Sequence, residues 1–330
     1  MEKIKDEQLK KEMVFHLYGR FAPIRDIINK NRNNGENFRI LDVGGRGNWM
    51  KKFFPNDEVF YLDPFLDSDD KNFIKGDGCA MPLENESFDW VVSTDVFEHI
   101  PNEKRKAFFE ENLRVSKKGV ILVAPFFSKE VEQAEINANE NFKSLHNGSD
   151  HIWLREHIEN GLPSMFDFEN LLKEKNISFQ KLYNNGLFLW QFLIGLEFLT
   201  DENLNDDTRK ELEKFNYFYN TEVFPFDNNE PSYRKIYFIK KDVNLKNILV
   251  ENKEISDLLF LNTIRRAIDL TAKIEVINKK TIQSKEQEMV NLNQTIQSKE
   301  QEIQWMKSSK FWKLREIYHK LINKFKKNHE

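Results

Sequence analysis

GDGCAMPLENESFDWVVSTDVFEHIP, residues 76–101, is the most informative segment of this chain. It opens with a polar turn around Asp77, continues through the apolar run FDWVVSTD (88–95), and closes on the polar pair Glu98 and His99. An apolar run that lacks polar alternation is typical of a strand covered on both faces. The segment therefore predicts a buried strand with polar residues beyond its carboxyl end.

Short apolar runs alternate with helical patterns on both sides of this segment. The predicted strands are residues 38–43, 58–63, 73–77, 88–95, 119–125, 178–183 and 233–241. The predicted helices are residues 6–31, 48–54, 103–115 and 187–199. Alternation of strands and helices is typical of an α/β fold built on a parallel sheet.

Glycine and carboxylate residues follow the first two predicted strands. Asp42, Gly44 and Gly45 lie in ILDVGGRGNW (40–49), where a glycine turn lets a ligand approach the backbone ahead of a helix N-terminus. Asp63 ends the next strand, where a carboxylate can accept hydrogen bonds from both hydroxyls of a ribose. The alternatives are a tight structural turn for the glycines and a turn-capping role for Asp63.

These motifs, in this order, resemble those of class I S-adenosylmethionine-dependent methyltransferases. Residues 76–99 resemble in particular the branch whose motif reads GDA-x-x-L-P-F-x-x-x-S-F-D-x-V-x-x-x-x-V-L-E-H. The resemblance implies a Rossmann-like, seven-stranded and mostly parallel sheet whose last strand, near Tyr233 to Lys240, is antiparallel. It also implies methyltransferase activity with S-adenosylmethionine as the cofactor.

The resemblance implies a cofactor-binding role for a set of residues at the strand ends. They are Asp42, Gly44, Gly45, Asp63, Asp77, Gly78, Cys79, Thr94 and Asp95. The first three would surround the methionine part, the fourth would bind the ribose, the next three would contact the adenine, and the last two would lie near the methyl group. The chain departs from the family at Arg46 and Asn48, where glycine is usual. Arg46 could either crowd the cofactor or bind a carboxylate.

A hydroxyl acceptor has to lose its proton during methyl transfer, and a histidine that titrates near neutral pH suits that task. His99 is the first candidate, because it follows the strand beside the predicted cofactor site; the alternative is a structural residue at a helix start. His151 and His157, in SLHNGSDHIWLREHIENGLP (144–163), are the second set of candidates. We predict no metal site, because no two ligands in that segment have a familiar spacing.

The composition changes at about residue 243, after which glycine and proline are absent. We predict a methyltransferase domain over 1–242, with a substrate-side insertion near 128–175, and a helical extension over 243–330. TIQSKEQEMVNLNQ (281–294) is followed by TIQSKEQEIQWMKS, a repeat of two heptads that predicts a coiled coil over about 274–306.

Residues 307–330 form a basic amphipathic tail. Such a tail suits either an anionic membrane surface or a partner helix. We therefore expect a membrane or coiled-coil partner to bind through residues 282–325.

Several segments, among them 144–163, 183–193 and SSKFWKLRE (308–316), resemble methyltransferases associated with surface-glycan biosynthesis. This looser resemblance implies O-methylation of a sugar hydroxyl on a glycan or its precursor. One alternative is a small metabolite or a lipid-like acceptor. The other is a degenerate methyltransferase that acts as a scaffold through its coiled coil.

The bulk composition argues against several classes of protein. Lys+Arg is 50 and Asp+Glu is 54, for a net charge of −4, so no general attraction to nucleic acid is expected. The single cysteine, Cys79, excludes an intrachain disulfide and fits a reducing compartment. We see no signal peptide and no apolar run that could span a membrane. We expect a cytoplasmic protein. Peripheral binding at the inner face of the membrane is compatible with that location.

Overall fold

The computed structural model describes residues 2–45, 49–199, 204–248, 253–308, 313–315 and 317–320. Arg46, Asn48, much of the SSKFWKLRE segment and the last ten residues of the tail therefore lie outside the described part. The chain forms two compact units, Met1–Thr271 and Ala272–Glu330. The first unit continues past residue 243, where the composition changes, and the predicted domain boundary there stays a prediction.

A seven-stranded sheet forms the centre of the first unit. Its strands are β1 Arg39–Val43, β2 Glu58–Asp63, β3 Phe73–Lys75, β4 Phe88–Thr94, β5 Ser116–Pro125, β6 Ser178–Gly186 and β7 Ser232–Lys240. Their order across the sheet is β3-β2-β1-β4-β5-β7-β6. The first five strands are parallel, and β7 runs antiparallel to β5 and β6. The predicted fold class and the antiparallel last strand are thus confirmed.

Helices cover both faces of the sheet, and a long helix follows the last strand in the chain. They are α1 Glu2–Glu12, α2 Phe15–Lys30, α3 Trp49–Phe53, α4 Asn102–Val115, α5 Lys129–Leu145, α6 Ile152–Asn160, α7 Met165–Glu174, α8 Leu187–Leu199, α9 Asp206–Phe218 and α10 Asp257–Ser308. A π-helical turn, Tyr219–Val223, and a 3-10 turn, Phe224–Phe226, follow α9. The segment between β5 and β6, where we predicted an insertion, contains α5, α6 and α7.

Apolar side chains fill the space on both faces of the central strands. On one face Trp90 of β4 packs with Phe38 and Phe238, beneath α2. On the other face Phe108 and Phe109 of α4 belong to a second buried cluster. Burial on both faces explains why these strands lack polar alternation in the sequence. It also leaves the carboxyl edge of the parallel strands as the place where polar side chains gather.

The first helix differs from the prediction, because residues 6–31 form two helices rather than one. The break lies at Val14, whose ψ of 139° is extended. The backbone groups on either side of the break find partners far along the chain. The Phe15 amide donates to Asn216 Oδ1 at 3.1 Å, and Asn220 Nδ2 donates to the Met13 carbonyl at 2.8 Å. These contacts stabilise a break that the local pattern of apolar residues could not indicate.

The C-terminal helix α10 includes the repeat on which the coiled-coil prediction rests. Ile282, Met289, Ile296 and Ile303, which share one heptad position, are between 47% and 61% exposed. Over the described residues, no helix is both long enough and apolar enough to span a membrane.

Candidate functional site

The turn after β1 is closely packed around two glycines. Gly44 has a φ of +83°, and its amide donates to the Leu62 carbonyl at 2.7 Å. A Cβ at Gly44 would lie 2.3 Å from Val96 Cγ2, and one at Gly45 would lie 2.6 Å from Asp42 Oδ2. Only glycine fits such close approaches. The turn therefore holds the backbone against Asp42 on one side and the loop after β4 on the other.

Asp42 is a buried carboxylate at the end of β1. Burial raises its pKa to about 7, although the positive charge of Arg20 opposes the shift. Among the described residues, its Oδ1 finds no hydrogen-bond partner, and the same is true of Ser93 Oγ and Thr94 Oγ1 on the neighbouring β4. Buried polar atoms normally have partners. This strand edge therefore has hydrogen-bonding capacity that a polar ligand could fill.

Asp63 and Asp77 both accept hydrogen bonds from the turns that follow them. Oδ1 of Asp63 accepts from the amides of Phe65 and Leu66 at 2.7 and 2.8 Å, so this oxygen caps a turn. Oδ1 of Asp77 accepts from the Cys79 amide at 2.8 Å. The roles of Asp63 toward a ribose and of Asp77 toward an adenine remain predictions.

The segment Gly78–Cys79 packs against α4. A Cβ at Gly78 would lie 2.6 Å from the Phe108 ring, so the backbone here touches the helix directly. Burial raises the pKa of the Cys79 thiol to about 11, with the neighbouring Asp77 charge adding to the effect. A thiol with this pKa is not a nucleophile near neutral pH. This environment suits the predicted role of Cys79, in which its backbone rather than its thiol contacts the adenine.

Asp95, which follows β4 with a φ of +52°, is held by two arginines. Arg234 of β7 donates to both carboxylate oxygens, Nε to Oδ1 at 2.6 Å and Nη2 to Oδ2 at 2.8 Å. Nη2 of Arg20, on α2, lies 2.7 Å from Oδ2. Burial alone would raise the pKa of Asp95, but the two guanidinium groups hold it well below its usual range. Neither arginine was predicted; the one signal was the pair of charged residues, Arg234 and Lys235, inside the apolar strand YRKIYFIKK.

Two histidines meet beside Asp95, and each faces a carboxylate. Nδ1 of His99 lies 2.9 Å from Glu156 Oε2, and Nδ1 of His157 lies 2.8 Å from Glu135 Oε1. The Tyr233 hydroxyl donates to the same Glu135 oxygen at 2.8 Å. Burial lowers the pKa of His157, but the hydrogen bond and charge of Glu135 outweigh it and raise the pKa above its ordinary value.

Glu98 lies next to this pair and is almost fully buried, with 1% of its surface exposed. Burial, with a contribution from the Asp95 charge, raises its pKa to about 8. One potential ligand atom from each of Glu98, His99 and His157 lies within 4.8 Å of those of the other two. No spacing in the sequence indicates this group, because residue 157 comes from α6 and the other two from the loop after β4.

His151, the second predicted base, lies at the N-terminus of α6 in a different environment. Its ring packs against Phe142 and Phe198, with centroids 4.8 and 5.0 Å away, and its amide donates to Asn139 Oδ1 at 2.9 Å. Burial lowers the pKa of this imidazole. These contacts tie His151 to the helices of the insertion, and its catalytic role stays a prediction.

Comparison with known proteins gives one family match and several partial structural similarities. Residues 56–124 match a family model described as a methyltransferase domain. No curated protein matches the chain. A solved structure of a SAM-dependent methyltransferase from Archaeoglobus fulgidus shares 15% identity with this chain, at a TM-score of 0.38, over 67% of this chain and 92% of that one.

Another solved structure is phosphoethanolamine N-methyltransferase 2 from Haemonchus contortus, in complex with phosphomonomethylethanolamine and S-adenosylhomocysteine. It shares 16% identity at a TM-score of 0.39, over 67% of this chain and 52% of that one.

The family match runs from just before β2 into β5, so it includes Asp63, Asp77 and Asp95. The residues at this edge suit S-adenosylmethionine, because the partnerless buried oxygens of Asp42 and Thr94 can accept hydrogen bonds from a cationic ligand. Residues 56–124 of this chain are therefore similar to a methyltransferase domain, and the strand edge beside them has polar atoms that suit S-adenosylmethionine.

Proposed function

We propose that this enzyme methylates a hydroxyl group, and that the hydroxyl belongs to a sugar of a surface glycan or its precursor. The observation that carries the proposal is the pair of carboxylate-backed histidines, His99 and His157, beside Asp95. An alcohol needs help to lose its proton near neutral pH, whereas an amine acceptor can react through its free base. A histidine pair at the edge where we propose that the cofactor binds fits an alcohol acceptor.

The cofactor supplies an electrophilic methyl group on a sulfonium: the oxygen–carbon bond forms, the carbon–sulfur bond breaks, and S-adenosylhomocysteine leaves. The protein contributes orientation, which supplies much of the acceleration in such transfers. In the proposed arrangement the residues of the β1 turn hold the methionine part, and Thr94 and Asp95 lie near the methyl group. The two arginines on Asp95 keep that carboxylate fixed and ionised.

His99 is the residue that we assign to the acceptor hydroxyl. It follows β4 directly, and its Nδ1 faces Glu156, which would stabilise a positive charge on the ring. His151 is left out of the proposal, because its ring packs between two phenylalanines and burial lowers its pKa.

The aromatic residues near His99 support a sugar as the acceptor. The Trp153 ring lies 5.2 Å from the His99 ring, centroid to centroid, so it borders the proposed acceptor site. Trp190, by contrast, stacks on Tyr233 at 3.7 Å and is buried in the core. An aromatic face beside the base is the surface on which the apolar face of a sugar ring packs.

The test is a transfer assay with the full-length chain and methyl-labelled S-adenosylmethionine. The acceptor panel contains oligosaccharides, small amines and a lipid-like phenol. We expect label in the oligosaccharides, in a product that resists alkali as a methyl ether does. Substitution His99→Ala should lower kcat by roughly 100-fold or more, as for a lost general base.

The matched control is His146→Ala, because His146 is exposed and stacks on Phe142. Label that appears only in amines or in the lipid-like phenol would contradict the sugar proposal. Equal kcat values for the two variants would contradict the role of His99.

We also propose that α10 pairs with a second copy of this chain. Ile282, Met289, Ile296 and Ile303 give one exposed apolar position per heptad. The other seam position holds Lys285 and Lys299, each with glutamates one and three residues further on, at 286, 288, 300 and 302. In a parallel, in-register pair each of these lysines would face the same lysine of the partner helix, with the glutamates beside it offsetting part of the repulsion, so we expect a weak pairing.

Sedimentation of the full-length chain tests this pairing. Ile296→Asp should give a monomer, because it puts a charge in the seam. Val290→Asp should not, because Val290 is equally exposed but lies off the seam; the exposed fractions are 47% and 48%. A wild-type chain that sediments as a monomer at high concentration would rule the pairing out.

A further inference from the structure

Two imidazole nitrogens face each other after β4. Nε2 of His99 lies 3.4 Å from Nε2 of His157, and the ring centroids are 4.6 Å apart. The Glu135 carboxylate accepts a hydrogen bond from Nδ1 of His157, which favours a proton on that nitrogen and a lone pair on Nε2 of the same ring. Two arrangements fit this close approach: a proton on one Nε2 that is donated to the other ring, or a metal cation bound by both nitrogens.

Glu98 distinguishes the two possibilities. Its carboxylate is 1% exposed, and its Oε2 finds no hydrogen-bond partner among the described residues. A proton shared by the histidines would leave this buried oxygen as it is. A divalent cation would bind the carboxylate together with both Nε2 atoms, since one potential ligand atom of each residue lies within 4.8 Å of the others. The buried carboxylate therefore favours the cation.

The separation of the two nitrogens indicates which cation fits. Zinc binds imidazole nitrogen at about 2.0–2.1 Å with tetrahedral angles, which puts two such nitrogens roughly 3.3–3.4 Å apart. The observed separation of 3.4 Å between the two nitrogens matches this distance. We propose that Glu98, His99 and His157 bind a Zn²⁺ ion and leave its fourth position open. Two histidines, one glutamate and an open position are the ligand set of several catalytic zinc sites.

The surroundings of the three ligands also suit a metal site. Zinc ligands of this type donate their second nitrogen to a carboxylate, which fixes the ring and makes Nε2 more basic. Glu135 accepts such a bond from Nδ1 of His157 at 2.8 Å, and Oε2 of Glu156 lies 2.9 Å from Nδ1 of His99. The Tyr233 hydroxyl in turn donates to Glu135 at 2.8 Å and holds it in place.

This inference deepens the proposed function, and its catalytic part rests on that proposal. A hydroxyl bound at the open position would have a lower pKa, because the cation stabilises the alkoxide. Its proton would pass to solvent water, and His99 would then act as a ligand rather than as a free base. The binding of zinc itself does not depend on which acceptor the enzyme uses.

The experiment is a zinc titration of the full-length chain, first stripped with a chelator, in competition with a chromophoric zinc indicator. We expect one Zn²⁺ per chain at micromolar affinity or tighter. Glu98→Gln and His157→Ala should each weaken it by more than the roughly 10–100-fold that loss of an outer partner costs. Glu135→Gln, an outer partner, should fall within that range. His146→Ala, outside the cluster, should bind as the wild type does. Co²⁺ in place of zinc should give the intense visible absorption of a tetrahedral site.

Circular dichroism shows whether each variant is folded. Of the two ligand changes, Glu98→Gln should disturb the fold less, because it keeps the size of the side chain. A folded wild-type chain that shows no saturable zinc binding would overturn the inference, as would equal affinity in Glu98→Gln and the wild type. Zinc binding without methylation of any hydroxyl acceptor would instead contradict the proposed function alone. Methylation of a sugar that survives the chelator, in a chain that binds no zinc, would contradict the metal site alone.

Discussion

Replacement of Asp42 by asparagine should stabilise the protein while it weakens cofactor binding. In the folded chain burial raises the Asp42 pKa from 3.8 to about 7. The folded state therefore holds this proton more tightly than the unfolded state does. The resulting stabilisation is complete below about pH 4 and is lost as the pH rises from about 4 to about 7.

The size of the effect follows from the shift. A difference of about 3 pKa units corresponds to about 4 kcal/mol of unfolding free energy, at 1.36 kcal/mol per unit. About 2.5 kcal/mol of that loss falls between pH 5 and pH 8. Asparagine at position 42 does not titrate, so the stability difference between Asp42→Asn and the wild type should grow by this amount over the same range.

The assay is urea unfolding of both full-length proteins at pH 5 and pH 8, followed by near-UV circular dichroism. Calorimetric titration with S-adenosylmethionine at pH 8 gives the second readout. Asp42→Asn should bind the cofactor at least about tenfold more weakly, because a hydrogen bond to a charged group is worth roughly 1.5–3 kcal/mol. A stability difference that stays constant or shrinks from pH 5 to pH 8 would refute the reasoning about burial. Unchanged affinity would refute the place of Asp42 in the cofactor site.

Two further changes test the packing of the site. Gly44→Ala should cost more than about 2 kcal/mol of unfolding free energy, because its Cβ would lie 2.3 Å from a valine methyl group. Gly35→Ala is the control: Gly35 also has a positive φ but nothing within 4 Å of its Cβ position, so the change should cost only about 1 kcal/mol. Urea unfolding measures both. Arg234→Met should lower the free energy of unfolding by roughly 3 kcal/mol. This value is at the low end for a broken buried ion pair, because Arg20 still contacts Asp95. Adding Asp95→Asn to Arg234→Met should recover part of that loss, and a double variant no more stable than the single one would argue against the ion pair as the cause.

The sequence predicts the strands and the polar residues after them for one physical reason. A strand that is buried on both faces must be apolar along its length, so the first polar residue marks its end. Asp42, Asp63 and Asp95 stand at such ends, and the structure puts each of them at the carboxyl edge of its strand. Their nearness to one another follows from the parallel arrangement of β1, β2 and β4.

The pairing of charges around that edge could not be predicted in this way. Asp95 takes its partners from α2 and β7, and His157 takes Glu135 from another helix of the insertion. Each pair joins residues that are distant in sequence, so no local period or spacing connects them. The same limit applies to the break at Val14, where two asparagines after residue 215 complete the hydrogen bonds of the first helices.

The two arginines on Asp95 have a consequence for synthesis on the ribosome. Arg20 and the first strands emerge early, but β7, which lies between β5 and β6 in the sheet and carries Arg234, emerges after most of the domain. Until then Asp95 has one of its two cationic partners, and β5 lacks its neighbour. We therefore expect a nascent chain that ends before residue 240 to expose an open sheet edge and to depend on chaperones. The proposed methyl-donor site would be completed only as the last strand inserts.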